Sequence, residues 1–255
     1  MRRIVGKIKQ YLWWRTKRWH RHEKLFYFYT SLRYKYQQKR YTAPAHPYKN
    51  IFISPNQIKY RKSMPIELGF GQIRGGDWDL KNIKNIEDFW VYKGLLQRFK
   101  KSLPWEETIY YKKVSEKFKN GSRYVSEYEN ITEYKNIRLS YLDNLFSEIK
   151  KNGYRPNSDS KHITPVKDTH RDRPAQQFEP IVAIGRSGDM FLLSGYHRFT
   201  IAKILEIDPI PVNVLIRHTE WQHIRDRLNN SDTIDIKPDL KNVVDHPDLD
   251  EFSFE

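Results

Sequence analysis

The chain of 255 residues carries a formal net charge of +15, a hydrophobic fraction of 38%, an aromatic fraction of 15% and no cysteine. That length holds one large domain, or a domain with a substantial insertion, around a ring-rich core. The lack of cysteine excludes disulfides and cysteine zinc sites, and no apolar run reaches the roughly 18 residues of a membrane-spanning helix.

The charge is unevenly placed. The first fifty residues hold fourteen Lys or Arg against the single acid Glu23, so +13 of the +15 lies there and the remainder of the chain is nearly neutral. Residues 1–48 therefore read as a basic, aromatic N-terminal helical extension. Ile4, Ile8, Tyr11 and Leu12 share one helical face, and Trp13, Trp14, Trp19 and Leu25-Phe-Tyr-Phe-Tyr29 follow. Its apolar positions are interrupted by Lys and Arg throughout, unlike a secretory leader. Three partners suit such an arm: an anionic membrane surface, contacted through residues 1–40; nucleic acid, with cations on phosphates and rings on bases; or the protein's own domain. Clustering of Trp with aliphatic residues favours the membrane; the expected location is the cytoplasm, at the inner face of the membrane where the arm engages lipid. Tyr41-Thr-Ala-Pro-Ala-His-Pro47 reads as a linker.

Residues 49–228 form the expected α/β (α+β) domain, a small mixed sheet with a helical insertion over about 80–135. Ile51-Phe-Ile lies at its start. Gly75-Gly-Asp-Trp-Asp79 follows, where two glycines permit sharp turns and Asp77 and Asp79 can reach one hard cation such as Mg²⁺. Either carboxylate, or Glu67 nearby, can also accept a hydroxyl proton beside a bound nucleotide. The same residues equally make an ordinary turn with Trp78 plugging the core. Ile86 to Lys100 has helical periodicity. Ser102-Leu-Pro-Trp-Glu-Glu107 reads as a stop and a new start, with the second helix running to about Phe118. The pair is placed to cover the sheet as a lid.

Leu142 to Gly153 lies between that insertion and the strands that follow. His162, Asp168, His170 and Asp172 lie in an aperiodic stretch, and their spacing matches no known metal site, so a loop is expected. Arg171 and Arg173 can reach an anion from that loop. Pro180 to Ile184 and Met190 to Leu193 read as strands joined at Gly185-Arg-Ser-Gly188. Ser194-Gly195 then turns into a helix from Tyr196 that buries Ile201, Ala202 and Leu205. A helix entered through glycine presents unpaired N–H groups and a favourable dipole to an anion. His197 adds a switchable donor and Arg198 a permanent planar cation. These residues can instead cap a surface helix, but the surrounding strands make a compound pattern. Ile210 to Ile216 reads as the last strand, Arg217, His218 and Trp221 start another helix, and 229–255 is an acidic, peripheral C-terminal tail.

Strand, hairpin, strand, Gly195-Tyr-His-Arg198 helix and Ile210-Pro-Val strand together resemble the ParB/sulfiredoxin superfamily. Its core is a small α/β domain carrying a Gly-x-(His/Arg)-Arg element. Ile51-Phe-Ile-Ser-Pro-Asn-Gln-Ile58 is similar to the family's first strand and Pro-x-x-Ile turn, and the Leu142 helix to the one before its central strands. Gly75 to Asp79 with Tyr92, Arg98-Phe99 and Pro104 to Thr108 looks like an archaeal branch of ParB-like proteins. Sulfiredoxins need a cysteine where this chain has Tyr196, which excludes their chemistry. About forty residues follow the last strand, so the helix-turn-helix of a partitioning protein is not expected.

The resemblance implies nucleotide binding. The expected function is an ATP- or other NTP-dependent phosphotransferase (a small-molecule kinase) or NTPase. Ser194, Gly195, Tyr196, His197 and Arg198 would hold the nucleotide, Asp77 and Asp79 a Mg²⁺ ion, and Asp77, Asp79 and His197 would be catalytic. The alternative is a non-catalytic DNA-binding or membrane-surface module that uses the basic arm.

Overall fold

The computed structural model describes residues 23–66, 69–125, 127–157, 179–230 and 243–252. Residues 1–22, Glu67, and the stretch with His162, Asp168, His170, Arg171, Asp172 and Arg173 lie outside the described residues. The fold is a mixed α/β one. Helix α1 (Glu23–Arg40) precedes strands β1 (Asn50–Ile53), β2 (Tyr60–Arg61), β3 (Gln72–Arg74) and β4 (Lys84–Asn85). Helices α2 (Trp90–Phe99), α3 (Ile109–Lys119), α4 (Ile131–Tyr134) and α5 (Ser140–Asn152) make up the insertion and its exit, the last two joined by a π-helical turn (Lys135–Leu139). The remainder is β5 (Ile181–Ile184), β6 (Met190–Ser194), α6 (Tyr196–Ile204), β7 (Ile210–His218) and α7 (Thr219–Asn229).

Strand β7 organises the sheet. It runs parallel to β5 on one side, while its other side is shared by antiparallel β1, opposite 210–213, and parallel β3, opposite 216–218. Beyond β5 the order continues through antiparallel β6, then β2 and β4.

Every residue of β5 and β7 is buried, as expected for strands covered on both faces. Alternation divides them between two cores. Val182, Ile184, Leu192, Val212 and Val214 pack with Phe199 of α6 and Trp221 and Leu228 of α7. Ile181, Ala183, Phe191, Leu193 and Leu215 pack on the opposite face with Phe26 of α1 and Phe70. A third core gathers α2, α3 and α5 around Ile201 on the far side of α6.

Of the three partners considered for the arm, its described part, α1, contacts its own domain. Phe26 is buried, contributing about 2 kcal/mol at ordinary transfer values, and Gln37 donates to the Gly71 carbonyl at 2.8 Å. The approach is close at Gly69, where a Cβ would lie 2.3 Å from Thr30 Oγ1. The linker is also docked, since Gln222 donates to the Ala43 carbonyl at 2.9 Å.

Several expected boundaries shift for identifiable reasons. Helix α2 starts at Trp90 rather than Ile86, because Ile86 donates its N–H to the Lys59 carbonyl and closes the β2–β4 ladder. Thus the first residues of the 80–135 insertion belong to the sheet. Helix α3 starts at Ile109, capped by Thr108, because Trp105 is held in a separate turn by its indole bond to Asp143. The tail is not peripheral throughout: Leu249 is buried, and buried Asp248 accepts from Arg217 Nε at 2.9 Å and from Trp221 Nε1 at 2.9 Å.

Candidate anion site at the start of helix α6

Helix α6 begins where strand β6 turns back against the start of β5. Gly195 makes that turn with φ +79°, and a Cβ there would lie 2.7 Å from Pro180 Cα, so both backbone and space demand glycine. The first intrahelical bond is Phe199 N–H to the Gly195 carbonyl. The N–H groups of Tyr196, His197 and Arg198 precede it, and no helix carbonyl exists to receive them. Ser194 and His197 are both partly exposed beside them.

His197 is held between two groups from the insertion. Its Nε2 lies 3.0 Å from Tyr110 Oη, and its Nδ1 lies 3.5 Å from Arg138 Nη2. Arginine has only donors, so Nδ1 is the acceptor and Nε2 carries the proton of the neutral ring. Nε2–H then donates to Tyr110, whose hydroxyl donates onward to Tyr134 Oη at 3.2 Å. Burial pushes both tyrosine hydroxyls well above their ordinary pKa, so they stay protonated as this chain requires.

Arg198 does not face this opening. Its Nη1 donates to buried Glu179 at 3.0 Å and to Asn157, its Nη2 donates to the Arg155 carbonyl, and it lies 4.4 Å over the Tyr154 ring. Glu179 also accepts from Tyr154 Oη at 3.1 Å, and its N–H donates to Asn213 Oδ1 at 3.0 Å. The expected phosphate-holding arginine is therefore chiefly a structural tie, although its buried Nε has no partner among the described residues. Tyr196 turns inward as well, its ring 4.9 Å from that of Phe89.

Asp77 and Asp79 are not part of this constellation. Asp79 is buried and accepts from the Arg186 backbone N–H at 2.9 Å and from Arg186 Nη2 at 2.8 Å, while Asp77 accepts from the same Nη2 at 3.1 Å. Arg186 belongs to the β5–β6 turn, whereas Gly195 meets Pro180 before β5. Five strand steps, roughly 16 Å, separate those ends. Burial favours the neutral acid at Asp79, but the Arg186 bonds outweigh it and hold the carboxyl down to about 2. A guanidinium already occupies the carboxylates, so this pair does not fit a divalent cation. Among the described residues no group of three or more His, Asp or Glu could hold a metal.

His218 and Arg217 also lie at that far end. His218 Nδ1 accepts from Glu220 N–H, so its Nε2–H donates to the Gly76 carbonyl at 2.9 Å and clamps the glycine loop.

Sequence reasoning missed Tyr110, Arg138 and Glu179. The first two reach His197 from helices 87 and 59 residues away, which no local pattern encodes. Glu179 did leave a signal, as the only acid between Asp172 and Asp189. No helix among the described residues is long and apolar enough to cross a membrane. The chain matches no known family model, and neither the curated proteins nor the solved structures give a significant match.

Proposed function

We propose that the start of helix α6 binds the phosphates of a nucleotide, and that the protein is an NTP-dependent phosphotransferase or NTPase of the ParB/sulfiredoxin-like kind. The observation that carries this reading is the placement of His197, with Arg138 beside it, at the first-turn N–H groups of a glycine-entered helix start, which no helix carbonyl can receive. Helix dipole, backbone donors and a guanidinium all favour an anion there. The Ser194 hydroxyl adds a donor. Arg198 acts through Glu179 by fixing the pitch of α6.

In this reading the terminal phosphoryl group passes to water or to a small hydroxylated acceptor. His197 takes up a proton on Nδ1 once Arg138 turns from it to the phosphate. Asp77 and Asp79 take no part. The reading places the protein in the cytoplasm, where nucleotides are abundant.

The test is calorimetric titration of ATP, ADP, CTP and GTP, with and without Mg²⁺, against the wild type, His197→Ala and Arg138→Ala. Binding that weakens at least tenfold in both variants, about 1.4 kcal/mol or more, supports the site. Absence of binding by all four nucleotides overturns it, and binding unchanged in both variants moves it elsewhere. Nucleotide bound but not consumed over hours would retain the site and remove the enzyme.

A further inference from the structure

Helix α1 has two faces, and only one is covered. Phe26, Thr30 and Gln37 are buried against the sheet. On the opposite side Phe28 is 60% exposed, Leu32 54%, Tyr36 60% and Tyr29 41%. Phe28, Leu32 and Tyr36 follow at i, i+4 and i+8, so they form one continuous stripe along the helix. Exposed Lys35 and Lys39 flank it, with Arg40 at the helix end, and no acid pairs with either lysine among the described residues. Three large apolar side chains in one row, with Tyr29 beside them, exceed the scattered exposure of an ordinary surface.

We infer that this outer face of α1 is an interfacial helix that lies on an anionic lipid bilayer. Rings and Leu32 would enter the acyl boundary, while the lysines reach the headgroup phosphates. Charge decides among the possible occupants. Residues 1–22 contain eight Lys or Arg and no acid, so folding them back over the stripe would bring like charges together. A second copy would set two α1 helices of the same sign against each other. An anionic surface is the complement of both. Nucleic acid suits the charge but not the stripe, because Leu32 at its centre has no use on a phosphate backbone. The one arginine within the helix body, Arg33, turns inward to the Gly69 and Phe70 carbonyls at 3.5 and 3.4 Å.

The experiment is co-sedimentation of the full chain with phosphatidylcholine vesicles and with vesicles containing 30% phosphatidylserine. It is run for the wild type, Phe28→Ser/Leu32→Ser, and Lys35→Glu/Lys39→Glu. We expect the wild type to bind only the anionic vesicles, and both variants to bind them at least tenfold more weakly. All four positions are exposed, so thermal melting should not move and will show that the variants are folded. Wild-type binding that both variants retain assigns lipid contact to another segment and overturns the inference. So does an absence of vesicle binding, whether the variants instead weaken binding of a 20-base-pair duplex or dissolve a dimer seen by sedimentation velocity.

Discussion

Glu179 and Arg198 meet at 3.0 Å with both side chains largely buried, and this contact ties the first turn of α6 to the chain two residues before β5. Glu179→Gln should therefore be destabilising by about 3 kcal/mol, because the largely buried guanidinium keeps only neutral partners and loses its counter-charge. Replacing both partners by apolar residues, Glu179→Leu with Arg198→Met, should cost less than either single change. Chemical denaturation of the double variant and of its two single changes checks the order. Equal losses in all three would mean that the pair's charge is irrelevant.

Acid should release the Asp79–Arg186 clamp. The Asp79 carboxyl sits at about 2 when folded against an ordinary value of 3.8, so its contribution is present above that ordinary value and is lost as pH falls toward 2. The contribution is about 2 kcal/mol. Buried Asp248, whose pKa is also lowered, acts in the same direction: burial opposes ionisation there, and Arg217 and Arg225 outweigh it. Melting temperature should be nearly flat from pH 7 to 5 and fall steeply below 4. Asp79→Asn should start lower and fall less over the same range.

The tautomer of His197 is directly measurable. Nitrogen-15 spectra should show Nε2 protonated and Nδ1 bare in the neutral ring. Tyr110→Phe removes the acceptor of that proton and should cost about 1 kcal/mol. A ring protonated on Nδ1 would contradict the arrangement around Arg138.

Glycine is required at position 195 and not at 75. Gly195→Ala meets a left-handed backbone and Pro180 Cα at 2.7 Å, and should destabilise by about 2 kcal/mol or more. Gly75 lacks a left-handed φ, and its nearest added contact is Thr219 Oγ1 at 3.4 Å, so Gly75→Ala should change stability by under about 0.5 kcal/mol. Comparable losses at both positions would mean that the turn geometry is not the cause.

Strands β1, β5, β6 and β7 and helix α6 were legible because their signals are local, whereas β2, β3 and β4, two or three residues each, were not. The unbroken apolar run Ile181 to Ile184, the turn at Gly185 to Gly188 and the Ser194-Gly195 entry each act within a few residues. The site was less legible because its partners are chosen across the chain. Arg198 looks the same in sequence whether it meets a phosphate or Glu179, and only the position of the β5 entry decides. Asp77 and Asp79 read as cation ligands because their spacing is right. The cation they meet is Arg186, brought by a hairpin more than a hundred residues later. Helix α1 was half legible: its basic and aromatic composition marks a surface helix, but not which face its own sheet takes.

Strand β7 has a consequence for how the protein comes into being. Its two halves hold β1 and β3, and its far side holds β5, yet its residues 210–218 are made after all three. On a ribosome the earlier strands leave without the neighbour that joins them, and apolar segments such as Ile51 to Ile53 wait more than 150 residues for a partner. Contacts of such long sequence separation fold slowly and expose apolar edges meanwhile. Truncation before residue 218 should thus leave not a smaller protein but an unassembled one, because the middle of the sheet is the last of it to be synthesised.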